Sequence, residues 1–390
     1  MVFPRLPRSF TRKFHKTENK RERTIQGNFL IPVPTGSQFL EDFPKRVLLG
    51  EMIASTQNLR ILSPVNGLAS LSEDRNFFQI KQDGAWHTTS PFLRRVSSYE
   101  TFLADCKEGA LASLDFPNLA LDKYFGSFYK TDPFEIYLAP FTRYNNLPFL
   151  EIIASEMKEA VSEFVLTLAE IFPNAKIHNF LNSDASQYTH PDGIPEYFIS
   201  KFQKSNLKKI TSELESRKIM YIGPETLYHI LRMVYYREPF TRRHLYVCLV
   251  DRKGRIDTES RYFLLTNGQS LDFIIQNFDK RYKVASFQSM FEAVSPHDIR
   301  SLGNFNIYEH NILLLYERLP VIRNAFPCID CFECNAYCPT GANPYSIVRG
   351  HSEDFISSQC IECGICTLHC PSGIDIRSKI IGAKKSDHAS

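Results

Sequence analysis

Two stretches near the C-terminus hold eight of the chain's ten cysteines: CIDCFECNAYCP from Cys328 to Pro339, and CIECGICTLHCP from Cys360 to Pro371. Each reads C-x2-C-x2-C-x3-C-P, the run found in proteins that hold two 4Fe-4S clusters. Three closely spaced cysteines curl the chain round one corner of an iron–sulfur cube, and the fourth iron takes its ligand from elsewhere. In two-cluster ferredoxins the fourth cysteine of each run crosses to the other cluster. The expected ligand sets are therefore Cys328, Cys331, Cys334 and Cys370 for one cluster, and Cys360, Cys363, Cys366 and Cys338 for the other. Zinc is the competing chemistry. A tetrahedral zinc site usually draws its four ligands from two separated pairs, and the third cysteine at this spacing has no role there.

The residues between the ligands suit clusters. Ile329, Phe332, Ile361, Ile365 and Leu368 are expected to pack over the cubes and limit water, or to serve as plain core. Two oxidised clusters with their thiolates would take the formal charge from +3 to about −1, a shift that bears on potential. Arg349, Arg377, Lys379, Lys384 and Lys385 stand nearby to offset it. Such a pair of clusters makes a one-electron relay, in which the clusters supply the chemistry and the protein supplies position and tuning.

The elements that must position these thiols read as follows. A short helix is expected around Tyr345 to Arg349, and another in IDIRSKIIGAKK after the second run. Towards the N-terminus, β-prone pieces separated by Gly67, Asp74 and Gly84 suggest a small sandwich or barrel. Its SPVNG turn lacks the lysine that would carry a biotinyl or lipoyl group. The stretch EIYLAPF reads as a strand. ASEMKEAVSEFVLTLAEIF places Met157, Val161, Phe164, Val165, Leu168 and Phe172 at helical spacing up to Pro173. KIMYIG and then ETLYHILRMVYYRE continue as strand and helix, so the middle of the chain is α/β. From His244 to Phe278 the order is strand, turn, strand, turn and a short helix from near Ser270. With the strand ILLLYE this makes a β-grasp pattern.

With 390 residues and a modest +3 charge, the chain has room for several cores. No run approaches the ~20 apolar residues of a bilayer span, and the N-terminus lacks the apolar core of a secretory signal, so a soluble or peripheral protein is expected. The clustered cysteines point away from a secreted disulfide framework and towards a reducing compartment. Cys106 and Cys248 read as buried apolar fillers. The basic arm before Gly27 suits anionic lipid, an acidic partner or plain solvent, and the absence of interleaved aromatics speaks against nucleic acid. Single histidines such as His190, His229 and His244 read as surface or packing residues, YTHPDG as a turn, and no nucleophilic or acid/base catalytic pattern stands out.

The order of parts, with FHKTENK and SPVNG, then EPFTRRHLYVCLV and the double cysteine run, resembles the RnfC subunit of membrane-bound Rnf electron-transport complexes and, more distantly, NqrA. The resemblance implies a multidomain α+β chain. Its parts would be a basic arm and barrel-sandwich hybrid domain (1–98), a Rossmann-like α/β domain (99–240), a β-grasp (SLBB-like) domain (241–318) and a helical dicluster ferredoxin-like module (319–390). It also implies a peripheral subunit on the cytoplasmic side of the inner membrane, with membrane subunits and a ferredoxin or flavoprotein as partners, taking electrons from NADH through FMN. The glycine-rich flavin loop of that family corresponds to EGALASLDFPN, Glu108 to Asn118, where Gly109 is the only glycine. Close backbone approach to a phosphate generally needs glycine. The acidic family segment corresponds to LAPFTRYNN, Leu138 to Asn146, which has no carboxylate. Three readings follow: a relay subunit without its own flavin site, an active FMN-dependent NADH dehydrogenase subunit, and a non-catalytic assembly or structural iron–sulfur protein.

Overall fold

The structure is a computed structural model. It describes residues 27–387 except 40–41, 84–97, 117–118, 129–132, 143–148, 184–189, 253–256, 258, 279–280, 283, 287–296, 299–301 and 319–324. The basic arm lies outside the described residues.

Seven short strands open the chain: β1 (Asn28–Pro32), β2 (Gln38–Phe39), β3 (Lys45–Val47), β4 (Met52–Ser55), β5 (Arg60–Leu62), β6 (Gly67–Leu71) and β7 (Phe77–Gln82). They form two antiparallel sheets, ordered β1-β7-β6-β3 and β2-β4-β5. Period-two alternation sends Phe29 and Ile31 from β1, and Phe78 and Ile80 from β7, into a core shared with Val47, Ile53 and Ile61. The SPVNG turn is held by Ser63 Oγ donating to the Val65 carbonyl (2.7 Å) and by Asn66 Oδ1 accepting from the Leu49 N–H (2.7 Å).

The middle of the chain runs α1 (Tyr99–Glu108), α2 (Leu121–Gly126), β8 (Phe134–Leu138), α3 (Phe149–Glu156), α4 (Lys158–Ile171), β9 (Ala175–Asn179), α5 (Pro195–Gln203), α6 (Leu207–Glu215), β10 (Ile219–Ile222) and α7 (Pro224–Tyr236). Its strands make a parallel sheet ordered β10-β8-β9. Helix α7 starts on Pro224, whose missing N–H is no loss in a first turn, and it buries Leu227, Ile230, Leu231 and Val234 as their spacing predicts. The single helix expected over Met157 to Phe172 instead begins after a break. Met157 caps α4 at φ −137°, and α3 precedes it. Both halves pack on α7, and the break lets each turn its apolar face towards that one helix.

Next come β11 (Arg242–Val250), β12 (Arg261–Thr266), α8 (Asp272–Asn277), β13 (Val284–Ser286), β14 (His297–Asp298) and β15 (Ile312–Tyr316). The sheet order is β12-β11-β15-β13-β14, with β11 and β15 parallel and the other pairs antiparallel. One hydrophobic core runs from Phe102 and Phe125 through α7 to Leu313 and Leu315 on β15. Across it lies a buried bidentate ion pair. Arg243 Nε and Nη2 meet the two Glu225 oxygens at 2.8 and 3.0 Å, and Nη1 donates to the Ile307 carbonyl at 2.8 Å. The N-terminal sheets are tied in by Arg60, bidentate on Asp122 at 2.9 Å, and by the Leu30 N–H on the Gly268 carbonyl at 3.0 Å. Cys106 and Cys248 are fully buried, and burial raises both thiols.

Three histidines in this shared core predict acid sensitivity. Burial and neighbouring arginines hold His229 well below its usual range, His244 at about 3 and His310 at about 4. His310 Nδ1 also accepts the Asn306 N–H at 3.1 Å, which a protonated ring cannot do. The unfolded chain binds these protons near pH 6.5 and the native fold does not, so stability is complete above that pH and falls as the medium acidifies towards the folded values. Urea unfolding at pH 6 is expected to give a free energy ~2 kcal/mol below that at pH 7. An unchanged value would show that the three rings are not buried neutral.

Candidate iron–sulfur module

The last described segment carries α9 (Glu333–Ala336), α10 (Pro344–Arg349), α11 (Ile365–Leu368) and α12 (Ile376–Asp387), with 3-10 turns at Ser352–Asp354 and Ser357–Gln359. Both helices expected from the sequence are present. The two cysteine runs use one backbone device twice. Asp330 and Glu362 both have φ +54°, Phe332 and Gly364 have +58° and +78°, and Gly341 and Gly373 have +69° and +68°. Left-handed residues alternating with right-handed ones turn successive N–H groups inward, a concavity that suits an anionic cluster. A 4Fe-4S core with four thiolates is such an anion. The Ala342 N–H donates to Cys338 Sγ at 3.3 Å, a hydrogen bond of the kind that tunes potential.

Cys338, Cys360, Cys363 and Cys366 line one open pocket. Burial raises the Cys363 and Cys366 thiols to about 12 and also raises Cys360, and Cys338 is near enough to push all three the same way. On the other side burial raises Cys334 to about 11, with Cys370 and Cys331 as the charged neighbours. Cys328, Cys360 and Cys370 all pack against the one small core that contains Cys334 and Cys366. Among the described residues no three His, Cys, Asp or Glu side chains converge tightly enough to share a single metal ion.

The cations are only partly where the sequence suggested. Lys384 Nζ donates to the Cys360 carbonyl at 2.8 Å and to Glu362 at 2.9 Å, and its charge lowers the Cys360 thiol against the effect of burial. Arg377 Nε donates to the Glu362 carbonyl at 2.8 Å, and Arg349 lies 3.6 Å from Asp330. The apolar spacers divide. Ile361, Ile365 and Leu368 are half-buried, whereas Ile329 and Phe332 are exposed, so those two do not shield a cluster from water as expected.

One residue with a role here was read only as a turn or packing histidine. His190 Nε2 donates to the Cys363 carbonyl at 2.7 Å, joining the α/β layer to the second cysteine run. Its neighbour Asp192 is buried and holds Lys201 at 2.9 Å. Nothing in YTHPDG signals this contact, because its partner lies 173 positions away.

The degenerate loop can now be placed. Gly109 caps α1, and a Cβ there would meet Met233 at 2.7 Å, so this glycine serves packing. Further along, Asp115 is buried against the N-terminus of α7. Its Oδ2 accepts the Gly223 N–H at 2.8 Å and the Thr226 hydroxyl at 2.7 Å. A Cβ on Gly223 would lie 2.0 Å from Asp115 Oδ1, so glycine is needed there to admit the carboxylate. Strand β8 lies between β10 and β9, and the chain changes side beside it, so this is the switch-point end where open parallel sheets take ligands. The seat that would suit a phosphate is filled by the chain's own anion. These residues do not fit the phosphate of a flavin or dinucleotide at the α7 terminus.

Residues 327–374 match the family model of the 4Fe-4S dicluster domain. No curated protein matches the chain. Among solved structures, a chain of the NAD+-reducing [NiFe]-hydrogenase in the air-oxidized state is similar at 9% identity and a TM-score of 0.39, over 68% of this chain and 52% of that one. The chain thus spans about half the length of that structure's chain. No described helix is long and apolar enough to cross a membrane. The C-terminal part of this mixed α+β chain is a 4Fe-4S dicluster domain.

Proposed function

We propose that the chain is an electron-transfer subunit of a membrane-associated Rnf/Nqr-type ion-translocating redox complex, relaying single electrons through two 4Fe-4S clusters. The observation that supports the relay is the gathering of eight cysteines in one small unit, four of them around one pocket, with the same left-handed backbone positions in both runs. When bound, the clusters supply one-electron redox chemistry; the chain positions them, limits water on the inner side and donates hydrogen bonds to sulfur. Cys328, Cys331, Cys334 and Cys370 would hold the outer cluster, and Cys338, Cys360, Cys363 and Cys366 the one that faces His190.

The finer assignments rest on the sequence resemblance: a barrel-sandwich hybrid, a Rossmann-like layer and a β-grasp domain before the module, with membrane subunits and a ferredoxin or flavoprotein as partners on the cytoplasmic side of the membrane. The Asp115 seat favours the relay over an active FMN-dependent NADH dehydrogenase. Iron, sulfide and flavin analysis of anaerobically isolated protein is expected to give about eight irons per chain and no flavin, with reversible reduction by dithionite. Zinc in place of iron, or clusters that no reductant reaches, would end the relay reading. Stoichiometric FMN with NADH-driven bleaching would replace it with the dehydrogenase.

A further inference from the structure

We infer that the first cysteine run presents a docking face for an electron-transfer protein whose own cofactor edge is apolar and ringed by basic side chains. This rests on the relay reading and names its exchange end. Phe326, Ile329 and Phe332 are 62%, 64% and 51% exposed, and they lie on either side of Cys331, itself exposed. The second run offers no equivalent: Ile361 and Cys363 are half-buried, Gly364 is buried, and His190 covers the Cys363 carbonyl.

Phe332 is doubly unusual. At φ +58° it holds a left-handed conformation that residues with a Cβ resist, at the place where the second run has Gly364. That conformation belongs to the cradle of the first run, and the aromatic it carries there is half in solvent, so it contributes little to a core. Tyr345 packs against it with ring centroids 4.3 Å apart and planes tilted by 34°.

Charge identifies the partner. Glu333 rims the face, while the neighbouring Asp330 is paired with Arg349 at 3.6 Å and adds no net charge. A bound cluster with its four thiolates adds about two further negative charges. Such a face steers a basic-rimmed partner and does so less well at high salt.

The probe is cytochrome c, in its redox-inert zinc-porphyrin form for binding and its ferric form for transfer. In transfer, one electron leaves the dithionite-reduced chain for each ferric haem that becomes ferrous. The full-length chain is expected to bind the zinc form with an affinity that falls roughly tenfold between ~50 and ~300 mM salt. Phe326→Ser combined with Ile329→Ser should weaken binding about tenfold and slow transfer in step, with iron content and spectrum unchanged. Both side chains are more than half exposed, so loss of folding does not account for that result. Glu333→Lys should weaken binding as well. No binding, binding indifferent to these substitutions, or self-association of the wild type that the same substitutions abolish would overturn the inference. The last result would make the face a contact between copies. Face-independent binding defeats this inference alone, whereas clusters that dithionite fails to reduce would defeat the relay reading and the inference with it.

Discussion

Cys363→Ser is expected to halve the iron, from about eight to about four atoms per chain, and to leave one cluster with its spectrum intact. Serine lacks the thiolate, and Cys363 shares its cavity with Cys338, Cys360 and Cys366. The sharper form of the experiment compares three variants. Cys338 lies in the first run but faces the second cavity, so Cys338→Ser should leave the same surviving electron paramagnetic resonance signal as Cys363→Ser. Cys370 lies in the second run but neighbours Cys334 and should leave the other signal. Pairing by run, with Cys338→Ser resembling Cys331→Ser, would refute the crossing assignment. Partial unfolding is a second expected effect. The module's central buried cluster is Cys334, Cys366, Ile374, Ile376 and Ile380, and two of these are ligands. A core that small holds its shape through what the thiols bind, as in other metal-dependent folds. Complete removal of iron should therefore open residues 325–387 to proteolysis while the larger core around α7 stays protected.

How far the sequence was readable tracks how local each constraint is. The cysteine runs were legible because cluster ligation is set within a few residues, and the same left-handed positions recur at Asp330 and Glu362. Helix α7 was legible because Pro224 and the stripe Leu227, Ile230, Leu231 and Val234 are local signals. The break at Met157 was not, since helical spacing continues through it and tertiary packing on α7 decides the bend. Ile329 and Ile361 occupy equivalent places in matching runs, yet one is open and the other half-buried. That difference comes from the α/β layer lying against the second run, which no local pattern records. The loop at Gly109 was legible as a departure from a glycine-rich phosphate cradle. What occupies the α7 terminus was not, because Asp115 meets Gly223 and Thr226 across more than a hundred positions.

Asp115→Ala is accordingly expected to cost ~3–5 kcal/mol of stability. Two hydrogen bonds to a buried carboxylate are lost, each worth ~1.5–3 kcal/mol, and the positive end of α7 loses its counter-charge. The Gly223 N–H and Thr226 hydroxyl would remain buried with no acceptor in place of Asp115 Oδ2. Asp115→Asn keeps an acceptor oxygen without the charge, so its loss should be about half as large. Denaturant unfolding reads both, and an order of Ala worse than Asn worse than wild type is what a buried helix-capping anion requires. The same pair of variants tests the link to function. While the native carboxylate holds the seat, FMN and inorganic phosphate should leave the unfolding midpoint of the wild-type chain unchanged. In Asp115→Ala an added phosphate can take the vacated N–H groups, and the midpoint should rise with its concentration, as binding to the native state alone demands. A wild-type midpoint that already climbs with FMN would mean that the flavin enters beside Asp115, and that the chain keeps an electron entry of its own upstream of the cysteine module.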